Sequence, residues 1–410
     1  MLNTPKGLRL HIGVFGRRNV GKSSLVNALV GQSVSIVSDV AGTTTDPVEK
    51  SMEIAPLGPV MFIDTAGIDD VGDLGEMRKA KTAAALEHTD LGIIVTDQAG
   101  IGADERQLIE ALKARSTPFF VVFGKADLGV PTQEAITYLD EARIPWISAS
   151  AQTPADRPKL LAALLDAAPD DRFEEPHLVS DLIPAGGHVI LVVPIDLAAP
   201  KGRLILPQVM AIRDILDADA ACTVVKEREL ADVLRRLDRK PDLVICDSQI
   251  VLKAAADTPP DVPLTTFSIL MARFKGDLPQ LAAGAAAIDR LKPGDRVLIA
   301  EACSHHSMAD DIGRVKIPRW LRQYAGGDLQ FDVIAGRDFP DDLSPYALTI
   351  QCGGCTVNRK MLLLRQRRAE AQGVPMTNYG VAISRVQGVL DRALECFPAA
   401  REAYERANQG

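Results

Sequence analysis

Nine consecutive residues, Gly16-Arg17-Arg18-Asn19-Val20-Gly21-Lys22-Ser23-Ser24, combine the groups needed to hold a polyphosphate. The glycines let backbone N–H groups turn inward, and a helix beginning at this point adds its positive dipole end. Lys22 is placed to reach the β- and γ-phosphates and the Ser23 hydroxyl to hold Mg²⁺. Further along, Gly42-Thr43-Thr44-Thr45-Asp46 offers Thr44 as a second Mg²⁺-binding hydroxyl. In Asp64-Thr65-Ala66-Gly67, the Asp64 carboxylate can hold a Mg²⁺-bound water and the Gly67 N–H can meet the γ-phosphate. Gly124-Lys125-Ala126-Asp127 supplies a carboxylate, Asp127, that can accept both N–H donors of guanine, and Ser148-Ala149-Ser150 offers backbone groups to the base oxygen. Each short string after the first is cheap alone. Together with the first, and in this order, the four that follow it specify a guanine-nucleotide site.

A second chemistry stands in the last third of the chain. Glu301-Ala302-Cys303-Ser304-His305-His306 and Gln351-Cys352-Gly353-Gly354-Cys355 each follow an apolar run. Cys352 and Cys355 can bring two sulfurs to one site, and the glycines between them leave N–H groups free to bond sulfide or thiolate. With Cys303 the count is three thiolates, which suits a 4Fe-4S cluster whose fourth iron is left to an exchangeable group. Zinc held by Cys303, His305, Cys352 and Cys355 satisfies the same residues, and Cys352 with Cys355 alone could form a redox pair. His306 reads as a capping or solvent-facing residue. Cys222 and Cys246, inside apolar runs, read as buried structural thiols.

Positioning these residues requires strands that end where each string begins. Leu10–Phe15, Val60–Ile63, Phe119–Phe123 and Ile144–Ile147 are such runs, with helix-like stretches between them. Beyond the polar, proline-flanked stretch 167–176 the same alternation continues without phosphate motifs. Strands are expected at His188–Val193, Cys222–Val225, Leu243–Cys246, Arg296–Ala300 and Tyr346–Ile350, and helices at Leu204–Leu216, Glu227–Leu237 and Leu278–Leu291. A second break is expected near Thr258–Pro263. The fold class is therefore α/β: a P-loop domain over 1–170, then two smaller α/β domains over 177–258 and 262–410. The 410 residues, 47% of them hydrophobic, can build several cores. A net charge of −8 argues against a protein whose main partner is nucleic acid. No apolar run reaches membrane-spanning length, no signal peptide is evident, and six cysteines in so long a chain read as cytosolic thiols, so the expected place is the cytoplasm.

The nucleotide strings resemble those of the translation-factor-related GTPases, in particular the TrmE/Era-like branch. The chain departs from that pattern twice. Gly124 stands where the base-recognition string carries asparagine, which removes a loop-bracing hydrogen bond and implies weaker affinity. Ile68 stands where many GTPases carry a water-orienting glutamine, which implies slow intrinsic hydrolysis. In the TrmE branch a P-loop asparagine helps hold K⁺; Asn19 occupies that place, so the resemblance implies K⁺-stimulated turnover, with a loop-bracing amide as the alternative reading of Asn19.

With the cysteine strings added, the whole chain resembles the HydF family, the maturation GTPases of FeFe hydrogenases. That family's pattern is Cys-x-His followed by His-Cys-x-x-Cys, and Gln351 stands here for the second histidine. The resemblance implies GTP and Mg²⁺ at the first site and a 4Fe-4S cluster on Cys303, Cys352 and Cys355, with His305 as a possible fourth ligand. It also implies a transient di-iron precursor as cargo, the radical-SAM maturases HydE and HydG as suppliers, and apo FeFe hydrogenase as recipient. The middle domain is expected to form a homodimer, with no nucleic acid and no membrane as partners. A ribosome- or tRNA-linked GTPase with a structural zinc domain is the competing expectation. The basic stretch Asn358–Arg368 reads either as a helix with one solvated face or as a docking surface for an acidic partner, formed by Arg365, Arg367 and Arg368.

Overall fold

The computed structural model describes residues 4–30, 48–54, 57–64, 82–169, 177–194, 204–302, 311–336 and 339–409. The chain forms two compact units, Met1–Glu175 and Pro176–Gly410.

In the first unit, strands β1 (Leu10–Phe15), β2 (Val48–Ile54), β3 (Gly58–Asp64), β4 (Leu91–Thr96), β5 (Phe119–Phe123) and β6 (Trp146–Ser148) form one sheet in the order β2-β3-β1-β4-β5-β6. Only β2 runs antiparallel to its neighbour. β1 and β4 are buried at every position, because apolar cores cover both faces of the sheet. The expected strand at Ile144–Ile147 begins two residues later. Pro145 has no N–H for the ladder, and its carbonyl serves only as acceptor for Val121. Because β1 and β3–β6 are parallel, Phe15, Asp64, Thr96, Phe123 and Ser148 all lie at one edge, where α/β sheets place their ligands.

The second unit holds two four-stranded parallel sheets. The first orders β7 (His188–Val192), β8 (Ala221–Val225), β9 (Leu243–Cys246) and β10 (Leu264–Thr266) as β10-β9-β7-β8. The second orders β11 (Arg296–Ala300), β12 (Gln330–Ile334), β13 (Leu348–Gln351) and β14 (Met376–Asn378) as β12-β11-β13-β14. One hydrophobic core runs continuously through both. The break expected near Thr258–Pro263 falls before the last strand of the first sheet, because Leu264–Thr266 pairs with Val244–Cys246.

Short side-chain caps start the helices that follow. Thr266 accepts from Ile269 N and opens helix Phe267–Lys275, Asp277 accepts from Gln280 N and opens Leu278–Ala285, and Asn358 accepts from Met361 N and opens Arg359–Ala371. The helix expected over Leu278–Leu291 ends at Ala285 and tightens into a 3₁₀ turn, Ala286–Arg290. Gly284 allows this helix to lie on β14: a Cβ there would stand 2.0 Å from the Met376 carbonyl oxygen. Among the described residues, no helix is long and apolar enough to cross a membrane.

Candidate functional site

Strand β1 delivers Gly16 to the sheet edge, and helix Lys22–Val30 leaves from the far end of the loop. Gly16 holds φ +144°, and a Cβ there would lie 2.1 Å from the Val95 carbonyl oxygen, so the loop sits against β4 only with glycine. Asn19 takes the left-handed φ of +60°, a region asparagine enters more readily than most residues. Lys22, 8% exposed, folds back over the loop: its Nζ donates to the carbonyls of Gly16 (2.9 Å) and Arg17 (2.7 Å). Ser23 and Ser24 are exposed at the helix start.

Arg17 braces the loop from outside. Its Nε donates to Glu105 Oε1 (2.6 Å), and its Nη2 donates to Thr96 Oγ1 and Asp97 Oδ1 (3.3 Å each). Glu105 is fully buried, and its second oxygen caps the Gly102 N–H (3.0 Å). Nothing in a local reading singles out this pair, which is 88 residues apart.

The base side is organised around Gly124. Its N–H donates to Thr96 O (2.7 Å), and a Cβ would come within 3.0 Å of the Val20 carbonyl oxygen, so this loop packs directly on the phosphate loop. The bracing that an asparagine here would give comes instead from Gln98, which follows β4. Gln98 Nε2 donates to the carbonyls of Gly124 (3.0 Å), Lys125 (2.8 Å) and Gly129 (3.3 Å). Lys125 takes φ +55° at the turn. Ala149 N donates to Phe123 O (3.0 Å) and Ala149 O accepts from Ala126 N (3.4 Å), which ties the loop after β6 to the base loop. Ser148 gives its carbonyl to Lys159 Nζ (2.6 Å).

A cleft of about 230 Å³ opens between Val20, Gly21 and Ser24 on one side and Gly124, Lys125, Asp127 and Ala149 on the other. Residues expected from separate strings thus meet around one cavity. Thr44 and Gly67 lie outside the described residues, as do Ile68, Cys303, His305 and His306. Asp64 closes β3 opposite Val14 of β1, and its side chain is likewise outside them.

In the second unit, neighbouring strands β11 and β13 end side by side, with Ala300 paired to Gln351. Cys352 lies just past that end. Its sulfur accepts from Ala302 N (3.0 Å), Gly354 N (3.4 Å) and Gln351 Nε2 (3.6 Å). Burial pushes the Cys352 thiol up, and the Gly354 and Ala302 N–H groups draw it back. Gly354 holds φ +64°, and a Cβ would stand 2.6 Å from Leu362 Cδ1, so the turn between the cysteines has no room for a side chain. Thr356 Oγ1 donates to Ala302 O (2.7 Å) and ties the two strand ends together.

Two buried cations complete this loop, and sequence reading found neither as such. Lys275, 1% exposed, donates to the carbonyls of Gly354 (2.8 Å), Val357 (2.7 Å) and Cys355 (3.5 Å). Burial lowers it to about 8, against the opposite pull of Cys355 and Cys352. Arg365, 3% exposed, donates to Gln351 Oε1 (2.8 Å) and Gly336 O (3.0 Å) and stacks 5.0 Å over the Phe339 ring. With its oxygen held by Arg365, Gln351 turns its amide nitrogen to Ala300 O (3.1 Å) and to the Cys352 sulfur.

The basic stretch is therefore not one solvated face. Arg365 points inward, Arg368 donates to Phe339 O (3.2 Å) and pairs with Asp341 (3.1 Å), and Arg367 is exposed. Cys246 is buried in β9 and Cys222 half-buried in β8, with both thiols pushed up by burial. Among the described residues, no three His, Cys, Asp or Glu side chains gather to hold a metal.

Comparison with known proteins places these features. A family model described as 50S ribosome-binding GTPase matches residues 11–125. Models described as Hydrogen maturase F dimerization domain and Hydrogen maturase F tetramerization domain match residues 178–276 and 279–396. The tRNA modification GTPase MnmE of Chromobacterium violaceum is 37% identical over 159 residues, 38% of this chain and 34% of that protein. GTPase Der of Wolinella succinogenes is 44% identical over 123 residues, 29% of this chain and 26% of that protein. The chain thus spans about a third or a quarter of the length of these relatives.

Among solved structures, Era in complex with MgGDPNP and a 16S ribosomal RNA segment matches with a TM-score of 0.33 and 21% identity, covering 55% of this chain and 96% of that one. The G domain of the T. maritima FeoB iron transporter matches at 0.31 and 20%, covering 39% and 98%. The first unit carries the P-loop GTPase fold, and α/β domains follow it. With both segments behind the GTPase domain matched by hydrogen maturase F domains, in the order dimerization then tetramerization, the chain belongs to the HydF family of hydrogenase-maturation GTPases.

Proposed function

We propose that this protein is a GTP-hydrolysing scaffold that binds a 4Fe-4S cluster and carries a di-iron precursor to apo FeFe hydrogenase. The observation that carries this reading is the Cys352 sulfur, facing three N–H donors at the joined ends of β11 and β13 in a hydrogen maturase F segment. Donors aimed at sulfur suit a thiolate that binds metal, and the tight Gly353-Gly354 turn leaves the approach clear. Cys352 and Cys355, with Cys303 beyond β11, would hold the cluster, and His305 or an exchangeable group its fourth iron. Such a cluster supplies one-electron chemistry and an open iron for docking cargo. HydE and HydG would deliver the cargo's parts. The homodimer is supported by β8, an edge strand that leaves Val224 45% exposed. The expected setting is the cytoplasm.

The test is anaerobic purification with iron supplied, followed by iron and sulfide analysis and EPR of the reduced protein. About four irons and four sulfides per chain are expected. Cys352→Ser and Cys355→Ser should each lose them. Zinc in stoichiometric amount would sink the scaffold reading.

At the other site, bound phosphates would take the Lys22 Nζ from the Gly16 and Arg17 carbonyls. Ser23 and Thr44 would hold Mg²⁺, Asp64 a Mg²⁺-bound water, and the Gly67 N–H would meet the γ-phosphate. Asp127 and Lys125 would read guanine, with the Ser148 and Ala149 backbone against the base oxygen. Asn19 would help hold K⁺, so hydrolysis should run faster in K⁺ than in Na⁺ and Asn19→Ala should remove most of the difference. Equal wild-type rates in the two salts would remove the potassium role and leave the GTPase standing.

A further inference from the structure

Lys275 closes helix Phe267–Lys275, which packs against helices Arg359–Ala371 and Tyr379–Val386 and so reaches the cysteine loop from beneath. It is 1% exposed, and among the described residues no carboxylate pairs with it. Its hydrogen bonds all go to carbonyls of the loop that carries Cys355. Gly354 links it to the sulfurs: its carbonyl accepts from Lys275 (2.8 Å) and its N–H donates to the Cys352 sulfur (3.4 Å). An ammonium ion taken out of water needs an anion beside it or full hydrogen bonding. Three carbonyls supply the bonding. The loop that supplies them carries Cys352 and Cys355, whose ligated sulfurs would add the negative charge.

We infer that Lys275 is the built-in counter-charge of the cysteine site, a positioning residue that holds the Gly354–Val357 backbone in shape and offsets the negative charge of the ligated sulfurs. This rests on the iron–sulfur reading above. A cluster held by thiolates is anionic, and its reduction adds a further negative charge, so a fixed cation behind the Cys352–Cys355 loop favours both assembly and the reduced state. Arg365 contributes to the same balance through Gln351. Lys275 also lies in the segment matched by the dimerization domain, whereas the loop it holds lies in the segment matched by the tetramerization domain. The cysteine loop is therefore anchored from the neighbouring domain.

The full-length chain, reconstituted anaerobically with iron and sulfide, tests this by iron content and by an EPR-monitored redox titration, with circular dichroism as the check on folding. Lys275→Met, which loses charge and donors together, should bind iron about 10-fold more weakly or worse. Lys275→Gln keeps two N–H donors and loses the charge. It should retain iron but show an oxidised-to-reduced ratio about 10-fold higher at a fixed potential, equivalent to about 59 mV lower for one electron. Lys275→Arg keeps the charge and should stay near the wild-type midpoint. Should Lys275→Met fail to fold, the Gln and Arg variants decide. Loss of the cluster in Lys275→Gln but not in Lys275→Arg also supports the counter-charge. Equal loss in both overturns it, as does a wild-type midpoint in an iron-loaded Lys275→Gln, which would reduce Lys275 to a brace. If the wild type itself takes up no iron and sulfide, the iron–sulfur reading has failed instead.

Discussion

Two buried lysines in this protein do similar work by opposite routes. Lys22 spans the phosphate loop and bonds carbonyls five and six residues before it in the chain. Lys275 spans the cysteine loop and bonds carbonyls 79 to 82 residues away. A cation whose partners are local can be written into a short string, so Lys22 is recognisable from nine residues. A cation whose partners are assembled by tertiary packing leaves no local trace. In the sequence Lys275 is one more basic residue at a helix end, where a lysine is ordinary. What separates the two sites is how far apart in the chain each one's parts lie, and this is also where variants can break the comparison.

The largest effect should come from the local lysine. Lys22→Ala removes the ammonium that closes the phosphate loop, and GTP hydrolysis should fall at least ~10²-fold. Iron content, read on the same preparation, should not change, because the cysteine loop belongs to the other compact unit. A variant that still hydrolyses GTP within a few-fold of wild type would show that the loop does not depend on its own lysine.

Next in size is the second long-range cation. Arg365→Met leaves the Gln351 oxygen buried without its charged donor, at a cost of about 1–3 kcal/mol. The second unit should then unfold about 3–10 °C lower in a calorimetric scan. The Gln351 amide would also be free to turn, so the EPR line shape of the bound cluster should change. An unaltered transition and spectrum would mean that Arg365 merely fills space beside Phe339.

Gln98 sharpens the comparison within the GTPase unit itself. The phosphate loop was legible because β1, loop and helix are contiguous, and β1, β3, β5 and β6 because each apolar run ends at a motif; β4, which ends at none of them, was not expected, and neither was the order of the strands in the sheet. Gly124 was legible as a departure, but its remedy was not, because Gln98 lies 26 residues away on another loop. The short strands β10 and β14, three residues each, were equally hidden: Leu-Thr-Thr and Met-Thr-Asn are too brief to show a period. Gln98→Met keeps the volume and removes the donor to three carbonyls. GTP and GDP affinity should drop about 10-fold, the worth of roughly 1.4 kcal/mol, with the catalytic rate at saturation nearly unchanged. Equal affinities in fluorescent-nucleotide titrations would show that the base loop holds its shape unaided.

The smallest effect is expected where the basic helix faces water. Helix Arg359–Ala371 carries Arg365 buried, Arg368 turned to the Phe339 carbonyl and to Asp341, and Arg367 exposed. Charge counted along the sequence treats the three alike, whereas their surroundings do not. Arg367→Glu changes the exposed charge by two units but touches neither the Gln351 contact nor the Phe339 ring. Surface substitutions of this kind usually move stability by less than about 0.5 kcal/mol. Unfolding temperature, iron content and GTP turnover should therefore match wild type. If the helix docks an acidic partner, the only change should be a slower, salt-sensitive activation of that partner. Lost iron in Arg367→Glu would instead show that exposed charge on this helix reaches the cysteine loop, and the division between its buried and solvated arginines would not hold.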